Sequence, residues 1–342
     1  QSIEKLVINK QVLLCRDRNQ SLEGLSSDLG YVKRLFDFSD EQIHLLEGGH
    51  RSPISHEALI EKLLILKREV LGGVSEKHEQ LTLKKDLLET ALEENQGSVC
   101  YLNTLPDALI KDILEQDIVV IVPNALMAEV LRKELNTYSL KKAQASAGAA
   151  EAVDEPVSYN VNAAIILTPE EAKGLEFENV VCYNPFEGGN FNKTQAVMKS
   201  QISHKNGAVY QVSPNNKNRP KDKTALFQNE EELLAYHGAV VAFSRARTLL
   251  VVVENLSLGT HKQLSEFVMQ GYAKTDQLLN QVKPVDPKTR LAMITQIASA
   301  LIDQGKKSEA KALYLKIGSE ETFNALLPKS LPSLPLRESK QS

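Results

Sequence analysis

Glu176 and Gly174 occupy a short connection between two apolar, strand-like runs of this 342-residue sequence. The first run covers Ala163–Leu167 and the second covers Val180–Tyr183. A glycine lets a ligand approach the backbone closely, and a carboxylate accepts hydrogen bonds from a hydroxyl group or binds a cation. The same residues also fit a plain turn between buried strands with a solvated glutamate, because glycine is common in turns.

Arginines at element boundaries are candidates for contacts with phosphate. Arg51 follows a Gly-Gly turn, and Arg245 and Arg247 lie between a predicted helix, Glu230–Val241, and a predicted strand, Leu249–Val253. A guanidinium group pairs bidentately with phosphate oxygens. The alternatives are a solvated side chain for Arg51 and an electrostatic helix cap for the pair.

Asp17 and Gln20 follow another apolar run, Val12–Cys15. The carboxyl ends of strands are where open α/β sheets place ligand contacts. A polar loop after a strand is the simpler interpretation of the same residues.

The elements that position these residues alternate between strand and helix patterns. Strands are predicted at Val99–Leu102 and Ile118–Val122, and helices at Pro106–Glu115 and Ala125–Leu135. Strands that alternate with helices of about ten residues predict a parallel sheet, and so an α/β fold.

Composition indicates an ordinary globular protein, with 42% apolar and 25% charged residues and a net charge of −4. No apolar run has the length of a membrane helix, so we expect no membrane association and a cytoplasmic or nuclear location. The three cysteines lie in apolar runs without zinc spacing, which predicts buried thiols in a reducing compartment. The acidic balance shows no basic stripe for nucleic acid.

Four segments resemble, in chain order, motifs of the UvrD-like superfamily 1 helicases. The run Thr168–Phe177, TPEEAKGLEF, is similar to motif V, T-x-H-x-A-K-G-L-E-F. Upstream, the DRNQSL segment that contains Asp17 and Gln20 is similar to motif III, and the HRS segment with Arg51 to motif IV. VVAFSRAR, which ends at Arg247, is similar to motif VI.

The resemblance implies a RecA-like second domain with flanking helices that shares an ATP site with an upstream RecA-like domain. It gives the catalytic roles to Gln20 and Arg51, which contact the nucleotide, and to Arg245, the arginine finger. It places Asp17, Gly174 and Glu176 at the cofactor, with Glu176 on a ribose hydroxyl.

Two motifs that such an ATPase needs do not occur in the sequence. It has neither a phosphate-binding G-x-x-x-x-G-K-[ST] loop nor an acidic magnesium motif. We therefore expect that this chain does not hydrolyse ATP alone. An upstream half would hold most of the Mg²⁺ site, unless that half has been lost.

The positions that contact single-stranded DNA in this family are altered here. Glu170 replaces the histidine of motif V, and the segment after Gln20 lacks the aromatic residue that stacks on a base. Stacking of this kind contributes about 1–3 kcal/mol per base. Two functions therefore remain open: the C-terminal motor domain of an ATP-dependent helicase, or a helicase-derived ATP switch or interaction module that does not translocate.

The predicted domain organisation has three parts. Residues 1–40 would end the first RecA-like domain, 41–256 would form the second with a helical hairpin at 56–95 and a linker at 137–160, and 257–342 would form a helical tail. The linker stands where the family inserts a helical subdomain. Pro185–Lys223 predicts a long surface excursion.

The tail is the second candidate surface for a protein partner, beside the helical hairpin. Its segment Ile297–Lys316 is similar to half a tetratricopeptide repeat. A single repeat cannot bury its own face, so a short helical cap is the preferred interpretation.

Overall fold

The computed structural model describes residues 53–71, 99–115, 118–148, 161, 164–201, 203–205, 209–211, 229–255, 261–269, 272, 282 and 285–316. The strands in these residues are β1 (Val99–Leu102), β2 (Val119–Ile121), β3 (Ile166–Leu167), β4 (Phe177–Tyr183), β5 (Ser203–Lys205), β6 (Val209–Gln211) and β7 (Ala246–Val253). Five of them form a parallel sheet in the order β1-β7-β4-β2-β3, and β5 and β6 form a separate antiparallel pair.

Helices connect and cover these strands, as parallel pairing requires. The helices are α1 (Ile54–Leu71), α2 (Asp107–Leu114), α3 (Ala125–Gly148), α4 (Pro169–Ala172), α5 (Asn192–Gln201), α6 (Glu230–Phe243), α7 (Lys262–Val268), α8 (Pro287–Asp303) and α9 (Lys307–Lys316). The predicted α/β class with a parallel sheet and flanking helices is confirmed.

The two faces of the sheet build two apolar cores. Along β4, Val180 and Cys182 join the core that includes α1, α6, α7, α8 and α9, whereas Val181 and Tyr183 join the core with α2 and α3. This alternation is the period of two that a strand imposes on its side chains. Each fully buried valine of this kind contributes about 1.5–3 kcal/mol relative to exposure. The result is a three-layer arrangement with the sheet in the middle.

The linker predicted at 137–160 is wrong for its first part, because α3 continues to Gly148. Alanine, lysine, leucine and glutamine dominate this stretch, and all four are good helix formers. Tyr138 packs against the α2–α3 core, and Lys142 pairs with Asp107 of α2 at 3.1 Å. The second part of the predicted linker, residues 149–160, lies outside the described residues.

The surface excursion predicted for Pro185–Lys223 is also wrong in its first half. Phe186 and Phe191 are fully buried and pack edge-to-face against each other at 5.8 Å. Glu232 of α6 accepts hydrogen bonds from the backbone N–H groups of Lys193 and Thr194, and a carboxylate is stabilised at such a helix start. Aromatic anchoring and this cap hold α5 against the fold.

Two predictions of helices and one of cysteine burial agree with the described residues. The first helix of the predicted hairpin is α1, and the tail contains α7, α8 and α9. Cys100 and Cys182 are buried. The second hairpin helix and Cys15 lie outside the described residues.

Candidate functional site

The connection between β3 and β4 begins with a capped helical turn. The Thr168 N–H donates to Oε2 of Glu171 at 2.8 Å, and the Glu171 N–H donates back to Oγ1 of Thr168 at 3.4 Å. This reciprocal pair is a capping box, and Pro169 at the first helical position has the backbone angle a helix start needs. The sequence pattern T-P-E-E therefore sets where α4 begins.

A turn at Gly174 ends α4 and leads into β4. Gly174 has φ +82°, a conformation that costs other residues about 1–2 kcal/mol. A Cβ atom at Gly174 would have nothing within 4 Å, so the space beside this backbone is open. The N–H of Leu175 donates to the Ala172 carbonyl at 3.0 Å, which closes the turn. An exposed glycine with open space allows a ligand to reach the main chain.

Arg245 lies at the junction of α6 and β7, and only 6% of its surface is exposed. Its Nε donates to the Val241 carbonyl at 3.1 Å, and its Nη2 donates to Oγ of Ser244 at 2.8 Å. Its Nη1 donates to the Leu175 carbonyl at 3.0 Å. The guanidinium group therefore links the end of α6 to the turn that carries Gly174.

Arg247 stands two residues further on and is exposed. Its Nε and Nη2 both donate to Oε2 of Glu176, at 2.9 and 2.6 Å. The exposed fractions of the two side chains are 56% and 21%. The hydrogen bond and charge of Glu176 raise the pKa of Arg247. Beside this pair, Thr248 donates to Oε2 of Glu178 at 2.7 Å.

These residues share the amino edge of the sheet, which we define as the end where β4 and β7 begin. The parallel register pairs Phe177 with Ala246. The N–H of Phe177 also donates to the Arg245 carbonyl at 2.9 Å. Glu176 and Arg245 therefore immediately precede paired residues, and the register brings their segments together.

The structure thus places three of the six predicted site residues, Gly174, Glu176 and Arg245, in one place. Asp17, Gln20 and Arg51 lie outside the described residues, so their roles stay predictions. Sequence reasoning considered Arg247 only together with Arg245, as a phosphate contact or a helix cap, and did not predict that it binds Glu176. The signal that could have identified Arg247 is the period of two along a strand. Arg245 and Arg247 lie on either side of Ala246, the first residue of β7, so both arginines lie close to the start of the strand.

The opposite, carboxyl edge is the usual ligand position in α/β sheets, and here it is filled by buried polar groups. Asn184, with φ +46°, follows β4 and accepts a hydrogen bond from the N–H of Asn255 at 2.6 Å. Glu254 follows β7 and is only 1% exposed. Burial raises its pKa to about 8, against a hydrogen bond from Ser265 that lowers it. His261, also buried, accepts a hydrogen bond at Nδ1 from the Nε2 amide group of Gln195 at 2.5 Å.

Two kinds of feature are absent from the residues that the structure describes. No group of three or more histidine, cysteine, aspartate or glutamate side chains is arranged to hold a metal ion in these residues. None of the helices in the described ranges combines the length and apolar character needed to cross a membrane.

Comparison with known proteins leaves the chain without an assigned family. No protein-family model matches it, and neither the curated proteins nor the solved structures contain a significant match.

Proposed function

We propose that the protein is the C-terminal motor domain of an ATP-dependent, UvrD-like DNA helicase. In this proposal the five-stranded sheet is a RecA-like second domain, and its amino edge faces an upstream RecA-like domain. ATP binds between the two domains, so each contributes half of the site.

The observation that carries the proposal is the convergence at the amino edge. Two segments about 70 residues apart, one similar to motif V and one similar to motif VI, meet through the hydrogen bond between Arg245 and the Leu175 carbonyl and the ion pair between Arg247 and Glu176. A turn between buried strands with a solvated glutamate does not require such pairing. This convergence supports a common ligand for the two segments.

The groups at this edge fit half of a nucleotide site. The backbone at Gly174 is open to a ligand. The Glu176 carboxylate can accept a hydrogen bond from a hydroxyl group of the ribose. On domain closure Arg245 would give up part of its contacts within the fold to approach the γ-phosphate, with Arg51 and Gln20 completing the set. In other phosphoryl-transfer enzymes an arginine of this kind increases the rate about 10³–10⁵-fold.

Magnesium is not expected to bind chiefly to this half of the site. The described residues contain no suitable cluster of ligands, so the proposal gives the metal to the upstream domain. What this chain supplies is orientation of the nucleotide and positive charge.

A second candidate is an ATP switch that binds nucleotide but does not track along nucleic acid. The observation that favours it is Glu170, which is exposed at the position of the family's DNA-approaching histidine. An exposed carboxylate repels a phosphate backbone. Single-stranded DNA is therefore the partner that most needs testing.

Steady-state ATP hydrolysis by the full-length protein, with and without single-stranded DNA or RNA, tests the proposal. For the motor, we expect stimulation by nucleic acid, and a loss of about 10³-fold in Arg245→Ala. Hydrolysis that is not stimulated by nucleic acid but is lost in Arg245→Ala would establish the switch instead. Absence of hydrolysis by the full-length protein would contradict the motor, and absence of ATP binding as well would contradict the switch.

Two controls protect this test from misfolding. Arg245→Lys keeps a charge at the buried position, and a folded Arg245→Lys protein with low activity points to the guanidinium group itself. Arg132→Ala removes an exposed arginine on α3, on the far layer of the fold, and should hydrolyse ATP at the wild-type rate.

A further inference from the structure

The helical turn α4 has only four residues, Pro169–Ala172. A helix this short is unstable alone, because nucleation fixes several dihedral angles for one hydrogen bond. Its capping box offsets only part of that cost. Since α4 leads directly into Gly174 and Glu176, whatever holds α4 also holds the candidate site.

Helix α8 lies against α4 and packs closely against α9. Asp286 caps α8 by accepting from two backbone N–H groups at 3.0 Å, and Gly305, with φ +82°, makes the turn between the helices. Their buried side chains belong to the same apolar core as Ala172 of α4: Ile294, Ile297, Ala298, Leu301, Ala310 and Tyr314. The pair is therefore anchored and presents a fixed surface to α4.

Two polar contacts join this surface to α4. Nζ of Lys306 donates to Oε1 of Glu171 at 3.0 Å, and Nε2 of Gln304 donates to the Glu170 carbonyl at 3.1 Å. Glu171 is the capping-box residue whose other oxygen accepts from the N–H of Thr168. One carboxylate thus links the tail to the cap of α4.

The burial of this ion pair indicates that it is more than a solvated contact. The Lys306 and Glu171 side chains are 35% and 18% exposed. We therefore place this ion pair towards the upper end of the range of about 0–1 kcal/mol that surface pairs contribute. Lys306 is thus well placed to set the position of α4.

We infer that the α8–α9 pair regulates the candidate nucleotide site by holding α4 and the following Gly174–Glu176 turn in place, with Lys306 as the positioning residue. The regulatory part of this inference rests on the proposed function. Lys306 itself does not touch the nucleotide. A partner that displaced the helical pair would loosen the turn and weaken nucleotide binding.

Amide hydrogen exchange in the full-length protein tests the positioning directly. In Lys306→Met, the amides of Glu171, Ala172 and Leu175 should exchange about three- to fivefold faster, as loss of a contact worth up to about 1 kcal/mol implies. Lys306→Arg should restore the wild-type rates. The matched control is Lys307→Met, which removes the exposed neighbouring charge and should change nothing.

A double-mutant cycle separates the ion pair from general loosening. Glu171→Gln keeps an acceptor for the capping box but removes the charge. If Lys306 acts through Glu171, the double variant should exchange no faster than Lys306→Met alone. The positioning role would be overturned if the two substitutions increased the exchange rates independently, so that their effects multiplied in the double variant. It would also be overturned if Lys306→Met left the exchange rates of these amides unchanged.

Nucleotide affinity, measured on the same full-length variants, separates this inference from the proposed function. Lys306→Met should weaken ATP binding about three- to fivefold, with rescue by arginine. Faster exchange with unchanged ATP affinity would overturn the regulatory link and leave the proposed function standing. A wild-type protein that binds no nucleotide would instead overturn the proposed function, while exchange alone would still decide whether Lys306 positions α4.

Discussion

The two edges of the sheet carry similar polar residue types in opposite environments. At the amino edge, the Arg247–Glu176 pair is in contact with water, and the backbone at Gly174 faces open space. At the carboxyl edge, Asn184 is fully buried and Glu254 is 1% exposed. The Arg247–Glu176 pair and the Gly174 backbone can exchange water for a ligand, although Arg245 at the same edge is buried and holds the fold. Asn184 and Glu254 of the carboxyl edge are both enclosed by the fold.

This difference shows that polar side chains at a strand end do not by themselves make a site. Glu254 and Asn184 lie at the edge where open α/β sheets usually bind ligands, yet a ligand there would have to displace packed structure. At the amino edge the Arg247 and Glu176 side chains are 56% and 21% exposed, so this pair can rearrange around phosphate or ribose at a smaller free-energy cost than fully buried groups can. The exposure of the polar side chains is therefore a better indication of a ligand site here than the end of the strands at which they lie.

The largest effect on the free energy of unfolding should come from Arg245→Ala. This variant tests whether the buried arginine of the amino edge, unlike the exposed Arg247, stabilises the fold. Removing the buried guanidinium takes a donor away from the carbonyls of Val241 and Leu175, although the Val241 carbonyl keeps its hydrogen bond from Oγ of Ser244. We expect a loss of about 3 kcal/mol in the free energy of unfolding, as is typical when a buried hydrogen-bond network is broken. Urea denaturation measures it, and a loss below about 1 kcal/mol would mean that this arginine is not structural.

The next effect concerns the carboxyl edge and depends on pH. Burial raises the pKa of Glu254 from 4.5 to about 8, so between these values the unfolded protein ionises this carboxyl while the folded protein keeps it neutral. Stability from this group should therefore fall as pH rises from 4.5 to 8, by an amount on the order of a few kcal/mol. Glu254→Gln should remove this dependence and be more stable than wild type at about pH 8.

The comparison must use the difference between wild type and Glu254→Gln. Burial also brings the pKa values of Glu61 and Lys62 to about 7, so wild-type stability alone mixes several groups. Urea denaturation at about pH 5 and at about pH 8 gives the required difference. If the stability of the variant relative to wild type does not increase with pH, Glu254 is ionised in the folded state and the carboxyl edge is wetter than its burial indicates.

Glycine substitutions compare the space at the two edges. Gly174 and Gly188 both have positive φ, but only at Gly188 would a new Cβ meet the Asn124 side chain, which caps α3 through the N–H of Met127. Gly174→Ala should cost about 1 kcal/mol from backbone strain, and Gly188→Ala about 2–3 kcal/mol from strain together with the lost cap. Thermal unfolding of both variants checks the order.

A third glycine provides the reference for these two. Gly238 lies within helix α6, and a Cβ there would make ordinary contact with Pro169 at 3.6 Å. Gly238→Ala should therefore stabilise the protein by about 0.5–1 kcal/mol. Equal losses in Gly174→Ala and Gly188→Ala would show that the amino edge is as filled as the carboxyl edge.

Much of the layer order could be predicted from the sequence. Strands buried on both faces give continuous apolar runs, and β1 and β2 were located to within about a residue for this reason. The segment that contains Phe186 and Phe191 was mistaken for a surface excursion, because the many lysines and asparagines after it concealed two aromatic anchors. The end of α3 was mistaken for a linker, since small residues suit both states and only contacts such as Lys142 with Asp107 decide between them.

The resemblance of the motifs led to Gly174, Glu176 and Arg245, which lie at one edge of the sheet, but it could not predict how these segments pair. Asp17, Gln20 and Arg51 lie outside the described residues, so their place in the site stays a prediction. That Arg247 rather than Arg245 binds Glu176 depends on the register of β4 with β7, which joins residues about 70 positions apart. The burial of Arg245 depends on the same long-range packing, so the residues around it in the sequence do not predict it.

The smallest effect on stability should come from Arg247→Ala, which is the sharpest check on the contrast between the edges. Its pair with Glu176 is exposed to water, so we expect urea denaturation to give a midpoint close to that of wild type. Added salt should shrink even that difference, because ions screen exposed charges. If Arg247→Ala instead destabilised the protein as much as Arg245→Ala, its ion pair would be part of the folded scaffold. The contacts of the amino edge would then hold the fold in the same way as those of the carboxyl edge, and the case for a ligand there would lose its physical basis.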